Sequence, residues 1–273
     1  MKAPAGKMPP MTSQISDFSA AALLQAAREM TAAAAATPLH YFRTGFAIEQ
    51  KADESPVTVA DRETEAALRK AIARRFPDHG ILGEEYGGER LEQDLLWVID
   101  PIDGTKSFIS GSPLFGMLVA VLQGGRPVAG IIRMPALGEC YAGSPATGSD
   151  RDGTPIACRR GVQLEDAFLC LNEARGLMTD HPAAFQRLMG TGRYQRFTYD
   201  CYPYAQLACG QVDAVVDCHL QPYDYLPVAP VVEGAGGVIT DWQGRPLGLD
   251  SDGRVVAAAS PEIHKSLLEI LAG

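Results

Sequence analysis

An apolar run, Leu95 to Ile99, ends abruptly in two carboxylates three residues apart, in the hexapeptide Asp100-Pro101-Ile102-Asp103-Gly104-Thr105. Pro101 cannot donate to a sheet ladder, so the strand is expected to stop there. Gly104 and Thr105 then supply a permissive turn, two backbone N–H groups and a hydroxyl. Acids at the carboxyl end of a strand, followed by open amides, suit a hard divalent cation that holds a phosphate. Asp is also common in plain turns, and a lone D-P-x-D-G would fit that role better. Two further acidic stations tilt the balance, Gly83-Glu84-Glu85 and Pro222-Tyr223-Asp224, each beside an apolar segment and in a Gly- or Pro-marked turn. The chemistry expected is magnesium-dependent hydrolysis of a phosphate monoester.

Such esters hydrolyse so slowly unaided that a catalyst must lower the barrier by about 20 kcal/mol or more. Two cations roughly 3.5–4 Å apart can clamp the entering and leaving oxygens, and that clamp needs several carboxylates. Rival chemistries lack their residues. An aspartyl-nucleophile phosphatase needs acids two apart, D-x-D, whereas Asp100 and Asp103 stand three apart. No G-x-x-x-x-G-K-[ST] loop occurs, which excludes a P-loop nucleotide hydrolase. Asp150-Arg151-Asp152-Gly153 and Asp250-Ser251-Asp252-Gly253 lack the closing acid of a calcium loop and read as hairpin turns. Gly234-Ala235-Gly236-Gly237 follows a helix rather than a strand, so close packing is expected there and not a dinucleotide. The five histidines are dispersed without metal-ligand spacing.

The elements that must position these acids follow from periodicity. Asp17 can cap a helix running through Ala36, with Leu23, Leu24, Ala27 and Met30 as its apolar side, and Thr37-Pro38 stops it. A second helix, Asp61 to Phe76, carries Thr64, Leu68, Ile72 and Phe76 four residues apart, and Asp61 can serve as its N-cap. A short strand, Gly80 to Leu82, leads into Glu84. Residues 115–123, 128–134 and 139–143 form an antiparallel meander split by Gly124-Gly125 and Pro135 to Gly138. Beyond about Arg160 strands (167–171, 214–218, 255–259) alternate with helices (181–189, 204–209, 226–233, 261–271). An antiparallel half followed by an alternating half predicts a layered α/β architecture. The expected division is a tail at 1–16, an N-terminal half at 17–160 with most acids, and a C-terminal half at 161–273.

Composition sets the class. With 273 residues, 46% apolar and 21% charged, the chain has ample material for a core. A formal net charge of −9 disfavours nucleic acid and anionic membranes as partners, while bound cations would reverse the local field for a phosphate. Six cysteines occur without C-x-x-C pairs and read as buried free thiols. The absence of a long apolar stretch or signal-like segment in this sequence points to the cytoplasm.

Four stations in order, Val57-Thr58-Val59-Ala60-Asp61, Gly83-Glu84-Glu85, Asp100 to Thr105, and Tyr223-Asp224 followed by Glu233 to Gly237, resemble the inositol monophosphatase superfamily of metal-dependent, lithium-sensitive phosphatases. The resemblance spans about Phe18 to the end. It implies a five-layer α-β-α-β-α sandwich with the site where the halves meet. It implies that Glu84, Asp100 and the carbonyl of Ile102 hold a first Mg2+, and that Asp100, Asp103 and Asp224 hold a second. A third, loose Mg2+ near Glu84 and inhibition by Li+ are further implications. Thr105 would orient the attacking water, and Asp61 or Glu84 would accept its proton. Asp103, Gly104, Thr105 and Asp224 would border the substrate, and the chain would form a homodimer.

The substrate end is similar to the histidinol-phosphate phosphatase branch, whose pattern is close to R-x-G-G-D-C-Y-x-Y, then V-V-E, then L-K-P-Y-D. The matching residues are Arg196, Asp200-Cys201-Tyr202 and Pro222-Tyr223-Asp224; the departures are Thr198, Tyr199, Asp217 and Gln221. Histidinol phosphate carries an ammonium and an imidazole, so its pocket needs acids beyond those the metals consume. Asp200 and Asp217 are the candidates, with strand-end capping and a solvent-facing strand position as their plainer roles. Inositol or another polyol or nucleotide phosphate is the alternative substrate, and a non-catalytic member of the fold is a remote one.

Overall fold

The computed structural model describes residues 19–45, 48–50 and 56–273. In chain order the elements are α1 (Ala20–Ala34), α2 (Ala36–Tyr41), β1 (Ile48–Gln50), β2 (Pro56–Thr58), α3 (Val59–Arg75), β3 (Gly80–Gly83), β4 (Gly87–Glu89), β5 (Leu95–Asp103) and α4 (Thr105–Ile109). There follow β6 (Gly116–Gln123), β7 (Arg126–Met134), β8 (Glu139–Ser144), β9 (Gly148–Arg151), β10 (Thr154–Ile156), β11 (Phe168–Asn172), α5 (Ala174–Asp180) and α6 (Pro182–Leu188). The chain closes with β12 (Tyr194–Thr198), α7 (Tyr202–Ala208), β13 (Ala214–Asp217), α8 (Pro222–Gly234), β14 (Val238–Asp241), β15 (Val255–Ala258) and α9 (Pro261–Ala272).

Two sheets carry the molecule. The larger runs β10-β9-β8-β7-β6-β5-β3-β4 and the smaller β12-β11-β13-β15-β14. The expected meander is β6-β7-β8, antiparallel throughout, and the one parallel pairing in the large sheet is β3 with β5. Strand β5 shows how one run of residues serves two cores. Trp97 and Ile99 face α1 and α3, packing with Leu23, Met30, Leu68 and Ile72, while Leu96 and Val98 face the opposite way. With both faces covered, the strand reads as a continuous apolar run instead of an alternating one.

Behind Leu96 and Val98 lie α7 and α8, and on their far side Cys170, Val215 and Val255 of the small sheet complete the central core. Helices α5, α6 and α9 cover the outer face of that sheet through Leu177, Leu188, Ile263 and Leu267. The order is therefore α-β-α-β-α, as the resemblance implied. Helix α8 is apolar all round because sheets flank it on both sides. Its backbone rests on paired glycines: Gly130 and Gly143 are opposite each other on β7 and β8. A Cβ at Gly130 would strike the Pro227 carbonyl, and one at Gly143 would sit 2.5 Å from the Val231 Cα. The Gly234–Gly237 run is likewise a packing feature, with Gly234 closing on Ser149 and Ser144.

Some boundaries differ from expectation. Asp17 lies outside the described residues, and Ser19 is the N-cap of α1, its hydroxyl accepting from the Ala22 N–H at 3.2 Å. Thr37 and Pro38 fall inside α2, where a proline in the first turn costs no internal hydrogen bond. Helix α3 starts two residues earlier than expected, capped by Thr58. All six cysteines are free, and five are buried. Among the described residues no helix is long and apolar enough to cross a membrane.

Candidate active site

Strand β5 does not stop at Pro101; it continues to Asp103 through a β-bulge. Asp100 pairs with Leu118 and Asp103 with Gly116, so one extra residue is accommodated between them. The bulge absorbs the missing N–H of Pro101 and turns Asp103 back beside Asp100. The freed Ile102 N–H donates to Asp100 Oδ1 at 3.0 Å. Asp224 joins them from α8, which begins at Pro222 and not at Leu226, so this acid is the third helical residue and accepts from the Gln221 N–H at 2.7 Å. Asp100, Asp103 and Asp224 each present an oxygen, and these three atoms lie within 4.8 Å of one another.

Glu84 follows β3, and its N–H donates to the Ile99 carbonyl at 3.2 Å, which sets it alongside β5. Burial, then the neighbouring charges of Glu84, Asp103 and Asp224, push Asp100 well above the ordinary carboxylate range. Burial and the charges of Asp200 and Asp224 do the same to Asp103, and burial raises Asp224 to about 7. One buried and two half-buried acids so close together form a hard, oxygen-only donor set that a divalent cation would neutralise. The residues fit Mg2+.

A second group adjoins the first. Asp61 is buried at the third position of α3, not at its N-cap; its Oδ2 accepts from the Thr58 N–H at 2.8 Å and the Thr58 hydroxyl at 2.5 Å. Its Oδ1 faces the Thr105 hydroxyl at 3.3 Å, and that hydroxyl is also 3.3 Å from the Ile102 carbonyl. Burial, only partly offset by the Thr58 bonds, raises the Asp61 pKa. Gly104 precedes α4 with φ of 82°, a left-handed conformation, and a Cβ there would lie 2.5 Å from the Asp200 carboxyl carbon.

Asp200 thus stands directly against the Gly104 turn, accepting from the Ser107 hydroxyl at 2.5 Å. Beside it opens a cavity of ≈ 360 Å³ lined by Lys106, Ser107, Ser110, Ser112, Glu173, Tyr199 and Asp200. Asp217 is placed elsewhere. It is buried, and its carboxylate takes three donors: Asn172 Nδ2 at 2.8 Å, Tyr204 OH at 3.0 Å and the Cys218 N–H at 2.9 Å. Asn172 Nδ2 also reaches the Asp200 carbonyl at 3.1 Å, and the Thr198 hydroxyl donates to Asn172 Oδ1. Asp217 and Thr198 therefore brace the turn that carries Asp200, and the Asp217 carboxylate does not face the open cavity. Glu173, Asn172 and Glu65 escaped the reading of the sequence. An acid four residues after Asp61 on one helix face was the available signal for Glu65; Asn172-Glu173 at a strand end was the signal for the other two.

A layered fold whose bulged strand, clustered acids and Thr–Asp pair converge where its two sheets meet is an arrangement that could hold a divalent cation beside a phosphate. A sequence profile of the inositol monophosphatase family matches residues 19–272. Over 240 residues, 85% of this chain and 69% of the relative, the sequence is 40% identical to a bifunctional phosphatase, IMPL2, of Arabidopsis thaliana chloroplasts. It is 35% identical over 238 residues to the histidinol-phosphatase of Chlorobaculum parvum, covering 86% of this chain and 91% of that one. An inositol monophosphatase structure from Zymomonas mobilis superposes with a TM-score of 0.85 at 35% identity, covering 94% of this chain and 100% of that one. The chain belongs to the inositol monophosphatase family and is a phosphoric monoester hydrolase.

Proposed function

We propose that this enzyme is Mg2+-dependent and releases L-histidinol from L-histidinol phosphate, a step of histidine biosynthesis. Asp100, Asp103, Asp224, Glu84 and the Ile102 carbonyl would hold two or three Mg2+ ions, which when bound supply the positive charge that polarises the phosphate and acidifies water. The chain's own contribution is orientation. Thr105, with its hydroxyl directed at Asp61, would accept a hydrogen bond from the incoming water and pass its proton toward Asp61. The water oxygen bonds to phosphorus, the ester P–O bond breaks, and the departing alkoxide takes a proton from solvent. The N-terminal amides of α4, at Gly104 and Thr105, have no acceptors within the helix and suit phosphate oxygens.

The observation that carries the substrate assignment is the acid-lined cavity beside Gly104. Asp200 and Glu173 both border it, with the exposed ring of Tyr199, and none of them belongs to the Asp100–Asp103–Asp224 cluster. A cationic amine would gain a charge-assisted bond to these carboxylates and a flat imidazole would find the Tyr199 ring, whereas inositol hydroxyls would offer them only neutral donors. The test is a panel of histidinol phosphate, myo-inositol 1-phosphate and adenosine bisphosphate with Mg2+. Histidinol phosphate should lead by about one to two decades in kcat/KM, the worth of a charge-assisted hydrogen bond. A preference for myo-inositol 1-phosphate would move the enzyme to the inositol branch, and absence of turnover across the panel would remove the catalytic reading. Light scattering would check the homodimer that belongs to this proposal, and fractionation its cytoplasmic setting.

A further inference from the structure

Glu65 is fully buried on α3, four residues beyond Asp61, yet it is not part of the aspartate cluster. Its two oxygens are spent on a loop. Oε2 accepts from the Glu85 N–H at 2.7 Å, and Oε1 accepts from the Tyr86 N–H at 3.2 Å and from Arg69 Nε at 2.7 Å. Arg69 continues the grip: it donates to the Gly87 carbonyl and, through Nη1, to Glu89 at 3.0 Å, and its guanidinium lies 5.9 Å from the centre of the Tyr86 ring. Gly83 is glycine for the same reason, since a Cβ there would run into the Glu65 carboxylate.

Glu84 is therefore bracketed. Its own N–H is tied to Ile99 of β5, and the next two N–H groups are tied to Glu65 of α3. We propose that Glu65, locked by Arg69, is a positioning residue that sets Glu84 against Asp100 for the first metal. A buried ion pair kept for stability alone is replaceable by apolar side chains of similar volume. This one is not, because its acceptors satisfy amides of the loop that no apolar side chain would satisfy. Asp61 and Glu65 are one turn apart on the same face of one helix. That single turn thus fixes two loops at once, the Gly104–Thr105 turn through Asp61 and the Glu84 loop through Glu65.

The inference rests on the metal reading of Glu84, and its test separates the two. Glu65→Gln retains one acceptor oxygen and turns an amide NH2 toward donors. Isothermal titration with Mg2+ should show affinity reduced by about 10–100-fold, the usual cost of losing a residue that orients a ligand. Hydrogen exchange of the 84–87 segment should accelerate, while exchange in the β6–β8 meander stays at wild-type rates, as a uniform loss of folding would not leave it. Arg69→Lys keeps the charge and removes the fork; it should shift both readouts in the same direction by less, and it decides the matter should Glu65→Gln fail to fold. Wild-type Mg2+ affinity and exchange in the variant overturn the positioning role even if its Tm falls. A wild-type chain that takes up no Mg2+ overturns the metal reading and this inference with it.

Discussion

The Cys201 N–H donates to Asp103 Oδ2 at 2.6 Å, joining residues 98 positions apart. That bond fixes one oxygen of the acid and leaves the other for the cluster. The same economy recurs at Asp100 with the Ile102 N–H, at Asp224 with the Gln221 N–H and at Asp61 with the Thr58 N–H. Four acids are oriented by main-chain donors, so their geometry does not depend on a cation being bound first.

Asp100→Asn should abolish hydrolysis while the fold survives, because it removes the acid at the centre of the cluster. Its metal-free form should melt higher than metal-free wild type, since burial and three neighbouring carboxylates disfavour the Asp100 charge. Relief of about 1 kcal/mol corresponds to roughly 2–4 °C for a chain of this size. Calorimetry with a chelator present checks the sign; near-normal turnover in the variant would remove Asp100 from the metal clamp.

Mg2+ itself should raise the melting temperature of wild type, by the linkage that yields about 2.7 kcal/mol at one hundred times the dissociation constant. Asp224→Asn should need more Mg2+ for the same rise and for half-maximal activity. Identical Mg2+ curves in the two proteins would separate Asp224 from the cation. Li+ is expected to inhibit, read as a fall in rate at fixed Mg2+.

Thr105→Ala and Asp61→Asn should each lower kcat by about two to four decades, the range for a positioned proton-transfer group, with little change in KM. Asp61→Asn should also lose about 1 kcal/mol of stability, because its Oδ2 completes the N-terminal cap of α3 with Thr58. A rise in KM alone in either variant would contradict the assigned roles.

Asp200→Asn and Glu173→Gln should lose histidinol phosphate turnover by about one to two decades while sparing p-nitrophenyl phosphate, which has no cationic end. Asp217→Asn should show the same selectivity at smaller size, because Asp217 acts only through Asn172 on the turn holding Asp200. A selective loss as large as that of Asp200→Asn would bring that acid back to the substrate.

Burial raises the folded pKa of Asp217 to about 8, its three donors notwithstanding. A carboxyl raised on folding is protonated in the native state while the unfolded chain has already ionised. Stability should therefore fall as pH rises from near 4 toward 8, by up to about 1.4 kcal/mol per pH unit, and level off above. Asp217→Asn should lose this slope, so its deficit against wild type shrinks between pH 5 and pH 8. Parallel melting curves across that window would mean that Asp217 is ionised in the fold.

The pairing of Asp100 with Asp103 was legible because its signals are local: a run of apolar residues, a proline, a glycine and two aspartates in ten positions carry both strand and turn. The bulge at Pro101–Ile102 was not, since it exists only in register with Gly116 and Leu118 of β6. The start of α8 at Pro222 was hidden because Pro222-Tyr223-Asp224 reads as a turn, although a proline is equally at home as the first residue of a helix. Edge strand β12, Tyr194–Thr198, alternates too little to announce itself, with exposed Tyr194, Arg196 and Phe197. Glu65 and Asn172 resemble ordinary surface and strand-end residues until the loops they hold are in place. Asp217 reads from the sequence as a solvent-facing strand residue or a substrate ligand. Its strand is covered on both faces, which a four-residue element does not reveal.

The seat of α8 on Gly130 and Gly143 has a consequence for the order of events during folding. Asp224 itself comes more than eighty residues after those glycines, and it meets Asp100 and Asp103 only once β7 and β8 are side by side to receive its helix. Contacts of such long sequence separation close late and slowly. A nascent chain would then offer a cation scattered acids but no complete ligand set, and tight uptake of the ion would report that the molecule is finished.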